Sequence, residues 1–400
     1  MRATAAVIAA LVVAATMLLT LRLARGRITA VTAGLLAATV GASPFIESFT
    51  LSGELLASLP AVLSLLVFCA YLEARERGAS RNRLLLTLAG AGALTGIAVL
   101  IKQSAFDAGL AAVVFLLWRE RRRGLAPAGV LVGGALIPIV VAAASAARLN
   151  DWLYAVVGYR FNGDSIATGS FAGRTHQLWT SLPPAGKALG VLALLAAGGW
   201  RRAPLLARIW VGTAALGVLG GGNFHPHYYL QLVPPLSLLA AVGVRTIWLS
   251  APRPAVAAAG AAAAATLAVA MPVAWASPSE QAETIWPSDP HLVHDAVLAR
   301  YVRAHTLPTQ RVLAVWADAD LYYLADRRPA TRYLWSRNVA SIPGALRAVR
   351  YALATRRARL VLVVQPPAKL DPSGRTAYLL RREYRLVTRI GGVTVYRSRS

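Results

Sequence analysis

The stretch GGNFHPHYYLQLVPP, residues 221–235, sets two histidines, two tyrosines, a glutamine and a Pro-Pro at the mouth of an apolar segment. His227 and Gln231 are four residues apart and would share one face of a helix. With His225 and Tyr228 beside them, they could offer hydrogen bonds to a phosphate or a sugar. The glycines at 220–222 would let backbone come close to such a ligand. The competing reading is an interfacial belt, because Tyr is enriched where a bilayer meets water. His225 and His227 have no obvious partner ligands, so no metal is assigned to them. Lys102 is a second candidate. Lysine occurs only at 102, 187 and 369, and Lys102 ends an apolar run beside Gln103 and Ser104. Its compact ammonium could hold a phosphate or snorkel to an interface, with Asp107 as the expected ion-pair partner. Glu47 and Glu54 are seven apart, on one face if that segment is helical. Ser52 reads as an N-cap and Glu54 as a first-turn acid. The loop 158–177 adds Arg160, Asp164, Arg174 and His176, with Arg174 as its phosphate candidate. Its Gly and Ser content predicts mobility.

These residues are set in a chain of 400 residues that is 56% hydrophobic and 15% charged. Apolar runs at 3–21 and 255–276 are long enough to cross a bilayer, and too many follow the first for it to be a signal peptide. About ten spans are expected: 3–21, 28–45, 55–72, 84–101, 104–118, 126–147, 186–199, 205–220, 228–249 and 254–275. A single cysteine, Cys69, excludes a disulfide framework. The net charge of +25 would suit nucleic acid in a soluble protein. Here arginine concentrates in alternate loops, 16 basic residues on one face against six on the other, so it reads as topology and nucleic acid is excluded as a partner. The richer face is then cytoplasmic. Segments 43–54, 101–107, 148–185 and 221–235 fall on the outer face. Polar groups beside hydrocarbon usually mark a site, and four such segments on one face imply a cavity open to the outside.

The texture changes after residue 276. Helix-like stretches alternate with the strand-like RVLAVWA and RLVLVVQPP, and YRLVTRIGGVTVYRS reads as a hairpin. The fold expected is mainly α, a polytopic helix bundle over 1–279 with a small outer α/β domain over 280–400. Asp318, Asp320 and Asp326 are spaced loosely like a calcium loop but lack its glycine and closing Glu, so they read as helix-start acids. An outer C-terminus after ten spans puts Met1 outside as well, as expected of a chain that has lost an earlier segment.

Three stretches carry a resemblance to bacterial GT-C-type membrane glycosyltransferases, the group related to protein O-mannosyltransferases and aminoarabinose transferases. SPFIESFTLSGELLASLPAVLSLLVFCAYLEARE resembles the loop and helix bearing that family's outer-face Glu, which Glu54 matches. LTGIAVLIKQSAFDAGL resembles its Gly-rich helix ending in Lys, and HPHYYLQLVPPLSLLAAVG its late His-Tyr segment. VLAVWADADLYYLADRRPATRYLW is similar to the outer α/β tail of many members. The resemblance implies transfer of a sugar from a polyprenyl-phosphate carrier to a glycan, lipid or protein acceptor at the outer face of the cell membrane. It implies Glu54 as a catalytic carboxylate and Lys102, His227 and Tyr228 as groups around donor and acceptor; from the residues themselves Glu47 joins Glu54 as a catalytic candidate, and Gln103, His225, Gln231 and Arg174 join the binding set. It leaves a divalent cation open as cofactor. The family's acidic first outer loop has no counterpart, and the first span aligns with the family's second. A non-catalytic protein that binds a lipid-linked glycan or a partner subunit is therefore the alternative. A transporter is the more distant one, since no paired halves are visible.

Overall fold

The computed structural model describes residues 2–48, 50–158, 171–286, 290–315 and 319–399. Arg160, Asp164 and Asp318 lie outside these residues. The chain forms two compact units, Met1–Trp152 with Ser170–Ala274, and Leu153–Gly169 with Trp275–Ser400.

The first unit is helical. Its long helices are α1 (Arg2–Ala24), α2 (Arg27–Gly41), α3 (Gly53–Glu76), α4 (Arg81–Ile101), α5 (Asp107–Glu120), α6 (Leu125–Ala144), α7 (Phe171–Gly199), α8 (Leu205–Gly221), α9 (Val233–Ser250) and α10 (Pro252–Trp275). Each answers to one of the expected spans. Among the described residues, six stretches are long and apolar enough to cross a membrane, one of them the run Asp107–Ala144 that joins α5 and α6. Arg27–Gly41, Leu205–Gly220 and Ala264–Trp275 are shorter apolar helices. The protein is a multi-pass membrane protein. Large apolar side chains such as Ile28, Leu86 and Leu194 stand exposed on the bundle, as a lipid-facing surface requires.

The expected start of the seventh span is corrected. The expected span starts at residue 186, yet α7 begins at Phe171 and runs through Pro183 and Pro184. Residues 171–185 therefore belong to a helix instead of an outer loop. Helix contacts in lipid depend on small residues that let backbones approach, and α4 and α6 show it. A Cβ on Gly92 would lie 2.0 Å from the Leu131 carbonyl oxygen, and one on Gly134 2.3 Å from that of Ala89. Ser64 ties α3 to α4, donating to the Ala91 carbonyl at 2.8 Å.

The second unit holds a four-stranded sheet of β1 (Arg311–Val315), β2 (Ala358–Val363), β3 (Tyr384–Ile390) and β4 (Val393–Ser398), in the order β1-β2-β4-β3. β1 and β2 pair parallel, and the other pairs are antiparallel. Alternation along β1 and β2 feeds two cores. Leu313, Val315 and Val361 enter one, and Val312, Leu360 and Leu362 the other. Gly391 and Gly392, with φ of 54° and 82°, close the β3–β4 hairpin, the all-positive turn that fits strand twist. Helices α11 (Pro278–Ile285), α12 (Asp295–His305), α13 (Asp320–Ala325), α14 (Ser336–Ser341), α15 (Ala345–Ala354), α16 (Pro367–Leu370) and α17 (Arg375–Glu383) complete the unit. Asp320 sits in the first turn of α13, whereas Asp326 ends it at φ 51°, so only the former is a helix-start acid.

Asp371 anchors α17. Its carboxylate accepts from Arg350 at 2.7 and 3.0 Å, from the Ser373 hydroxyl at 2.6 Å and from the Thr376 hydroxyl and N–H at 2.6 and 2.9 Å. Desolvation opposes its ionisation, but these donors outweigh it and hold the carboxyl well below the usual carboxylate range. A lowered native value means that the unfolded chain binds the extra proton first. The stabilisation is then complete above the ordinary carboxylate pKa of about 4 and is lost as pH falls below it. Thermal unfolding of the whole chain in detergent, followed between pH 6 and pH 3, should show the sheet unit melting earlier as pH drops. Asp371→Asn should flatten that slope, and an unchanged slope would remove Asp371 as its source.

Candidate functional site

The site is built where α3 and α4 meet the 226–232 stretch. The Ser52 hydroxyl accepts from Leu55 N–H at 3.2 Å and starts α3, which places Glu54 in the first helical turn, only 4% exposed. Upstream, a 3-10 turn at Pro44–Ile46 ends on Glu47, whose φ of 51° reverses the chain. Lys102 caps the end of α4. Its Nζ lies 2.7 Å from Glu54 Oε1 and 4.3 Å over the Tyr228 ring. The contact is a close ion pair with cation–π support from the Tyr228 ring. His227 Nδ1 is 2.5 Å from Glu47 Oε2. An ionised carboxylate only accepts, so this nitrogen carries the proton. His227 Nε2 faces Glu54 Oε2 at 3.8 Å. His225 stacks on His227 with centroids 5.5 Å apart, and both rings meet Tyr228 edge to face.

Two expectations about spacing fail here for physical reasons. Glu47 and Glu54 do not share a helix face, because α3 starts only at Gly53; His227, between them, brings them together. His227 and Gln231 do not share a face either, because Pro226–Leu232 is a 3-10 helix with three residues per turn. Pro234 and Pro235 have no N–H for the carbonyls of Leu230 and Gln231, and they sit in the first turn of α9, where the α-helix starts. Gln231 turns inward instead. Its Nε2 donates to the Ser104 carbonyl at 2.9 Å and to Asp107 Oδ1 at 2.7 Å.

Asp107 is not the partner of Lys102. It is 1% exposed, accepts from Trp210 Nε1 at 2.7 Å as well as from Gln231, and its carbonyl accepts from Thr213 at 2.9 Å. Gly217 makes room for this knot, since a Cβ there would lie 2.3 Å from Gln231 Nε2 and 2.6 Å from the Ser104 carbonyl oxygen. Trp210 and Ser181, whose hydroxyl meets Tyr229 at 2.7 Å, were not singled out in the sequence. Their signal was available: a buried Trp N–H needs an acceptor, and an Asp in an apolar run needs donors.

Glu54, Lys102, Asp107, Trp210 and Gln231 line a cavity of about 10 Å³, room for one water at most. Beside it opens an apolar groove of about 560 Å³, walled by Ala5, Ala9, Val13, Ala37 and Leu55. Ser58 and Pro234 line both spaces. Gln103 follows Lys102 half-buried, and Arg174 lies half-buried early in α7; neither lines the cavity beside Glu54. Among the described residues, no group of three or more His, Cys, Asp or Glu is arranged to hold a metal. The carboxylates of the site face the Lys102 ammonium and the His227 N–H instead.

Trp210→Phe keeps an aromatic ring but deletes one donor to the buried Asp107 carboxylate and leaves a small void that adds to the cost. The expected cost is about 1.5–3 kcal/mol for a hydrogen bond to a charged group, read as a lower unfolding midpoint in detergent. An unchanged midpoint would show that Asp107 does not depend on the indole.

No protein-family model and no curated protein matches the sequence. By structure the chain is similar to the crystal structure of ArnT from Cupriavidus metallidurans bound to undecaprenyl phosphate. The TM-score is 0.60 over 99% of this chain and 83% of that one, at 15% sequence identity. A likeness at that identity is one of fold: the chain shares the polytopic fold of that structure.

Proposed function

We propose that the protein is a membrane glycosyltransferase that moves a sugar from a polyprenyl-phosphate donor to an acceptor at the outer face of the cell membrane. The observation that carries this reading is a buried Glu54–Lys102 ion pair beside an apolar groove of about 560 Å³ at the same end of the bundle. A cation in a small cavity that shares Ser58 and Pro234 with an alkyl-sized groove suits a lipid whose head is a phosphate. The ArnT structure of similar fold is bound to undecaprenyl phosphate, which supports the donor class.

In this reading the prenyl chain lies in the groove and Lys102 turns from Glu54 to the phosphate. The acceptor attacks the sugar C1 as the bond from C1 to the phosphate oxygen breaks. Lys102 stabilises the charge left on the departing prenyl phosphate. Glu54 takes the acceptor's proton as general base, while Glu47 fixes His227 with its Nε2 towards Glu54. Tyr228 and His225 wall the sugar. No step passes through a metal. The second reading, binding of a lipid-linked glycan without transfer, is favoured by one feature: the Glu54 carboxylate already has its cation.

The test uses the protein in nanodiscs with undecaprenyl phosphate, read by native mass spectrometry, and a radiolabelled undecaprenyl-phosphate hexose, read by label transfer in membranes. Lys102→Ala should weaken lipid retention about tenfold. Glu54→Gln should retain the lipid and lose transfer by a factor of about 10²–10⁴, the usual share of a general base. Retention without transfer by the wild type would establish the binding reading. No retention, or full transfer by both variants, would overturn the site.

A further inference from the structure

A general base that has taken the acceptor's proton must lose it before the site can reset. The resting ion pair with Lys102 needs Glu54 as a carboxylate. A Glu54 still protonated would strand the ammonium when the prenyl phosphate departs, and an unpaired buried charge is costly. Burial limits where the proton can go. The Glu54 side chain is 3% exposed, and the cavity beside it has room for one water at most. Asp107 lines the same cavity, but its carboxylate already accepts from Trp210 and Gln231.

His227 is placed to take the proton. Its Nδ1 carries a hydrogen and donates to Glu47, so Nε2 is the accepting nitrogen. That nitrogen faces Glu54 Oε2 at 3.8 Å. The His227 side chain is 24% exposed, against 9% for Glu47 and 3% for Glu54, so the ring is the most open of the three towards water. Glu47 comes to it from the turn after Ile46 and Glu54 from the first turn of α3. On its own segment His225 stacks on it and Tyr228 meets it edge to face, with Lys102 over the Tyr228 ring. Glu47 therefore does for His227 what a carboxylate does for any relay histidine: it fixes the tautomer and steadies the imidazolium once formed.

We infer that His227 is the proton outlet of the site, acting through Glu54. After transfer, the O–H bond of the Glu54 carboxyl breaks and its proton passes to His227 Nε2. This leaves a Glu54 carboxylate and an imidazolium held by Glu47. The imidazolium gives one proton to water and returns to neutral, and Lys102 pairs with Glu54 again as the lipid leaves. The 3.8 Å gap closes by about 1 Å to hydrogen-bond reach once Lys102 has turned to the phosphate and released Glu54. The inference rests on the transferase reading of Glu54, and it adds the step that makes turnover repeatable.

The test separates the first turnover from those that follow. Membranes holding a known amount of the protein are mixed with radiolabelled undecaprenyl-phosphate hexose, and transferred label is counted by rapid quench. His227→Gln keeps a donor for Glu47 but has no nitrogen that takes up a proton. The ratio of its first-turnover rate to its later rate should exceed that of the wild type by at least about tenfold, seen as a burst of label. In His227→Ala, added imidazole should restore the later rate in proportion to the neutral base present, which a group that merely fills space would not require. First and later turnovers slowed alike, or an unchanged ratio in His227→Gln, would overturn the relay and leave the transferase reading standing; the proton would then leave with the lipid phosphate. No transfer by the wild type would overturn the transferase reading and the relay with it.

Discussion

A lysine ammonium and a buried carboxylate 2.7 Å apart, Lys102 and Glu54, set the terms for the first unit. Neither charge can stand alone beside hydrocarbon, since an unpaired buried ion costs several kcal/mol. Each must therefore be delivered to the other by an element whose end is fixed. Ser52 fixes the start of α3, the last turn of α4 fixes Lys102, and Tyr228 covers the ammonium. The pair is thus a meeting of two helix ends and a 3-10 segment, and a shift of any one would leave a buried charge without its partner.

The Asp107 knot is the support beneath. Its carboxylate draws Trp210 from α8 and Gln231 from the 226–232 segment, so the segment that carries His227 is pinned at its far end to α5. Buried polar networks of this kind are stable only when every member is satisfied. Gly217 shows how little slack there is, because any side chain there would strike both the Gln231 amide and the Ser104 carbonyl. The knot lies at the small cavity that Glu54 and Lys102 also line, so support and site share one wall.

Much of this was legible in the sequence, and the reasons differ by residue. Hydrocarbon thickness imposes its length on apolar runs, so the helices of the first unit could be read from their apolar runs, except for the start of α7. Charge beside an apolar run is costly, so Glu54, Lys102 and His227 announced themselves by being there. Short continuous apolar runs likewise exposed β1 and β2, and a Gly-Gly between two strand-like runs exposed the hairpin. Partnership was not legible. Asp107 is five residues from Lys102 and Glu54 is forty-eight away, and sequence distance favoured the wrong carboxylate. The phase of the 226–232 stretch was hidden because nothing in the residue types separates 3.0 from 3.6 residues per turn. Pro234 and Pro235 sit in the first turn of α9, whereas Pro183 and Pro184 are carried inside α7; residue type alone does not separate the two cases.

The closed ion pair bears directly on the proposed chemistry. If Lys102 simply left Glu54, the carboxylate would stay buried without a cation, and the cost would oppose lipid entry. Exchange spares the ammonium such a cost, though not the carboxylate. An incoming phosphate replaces one anion at the ammonium with another, so the cation is never stranded. Glu54 is left as the group short of a positive charge, and the nearest source is the proton of an attacking acceptor. His227, held by Glu47 and facing Glu54 at 3.8 Å, keeps a polar neighbour beside the carboxylate while it waits. On the proposed reading, then, the interaction that stabilises the resting site is also what makes Glu54 a base only when the phosphate is in place, and binding of the donor and readiness for transfer become one event.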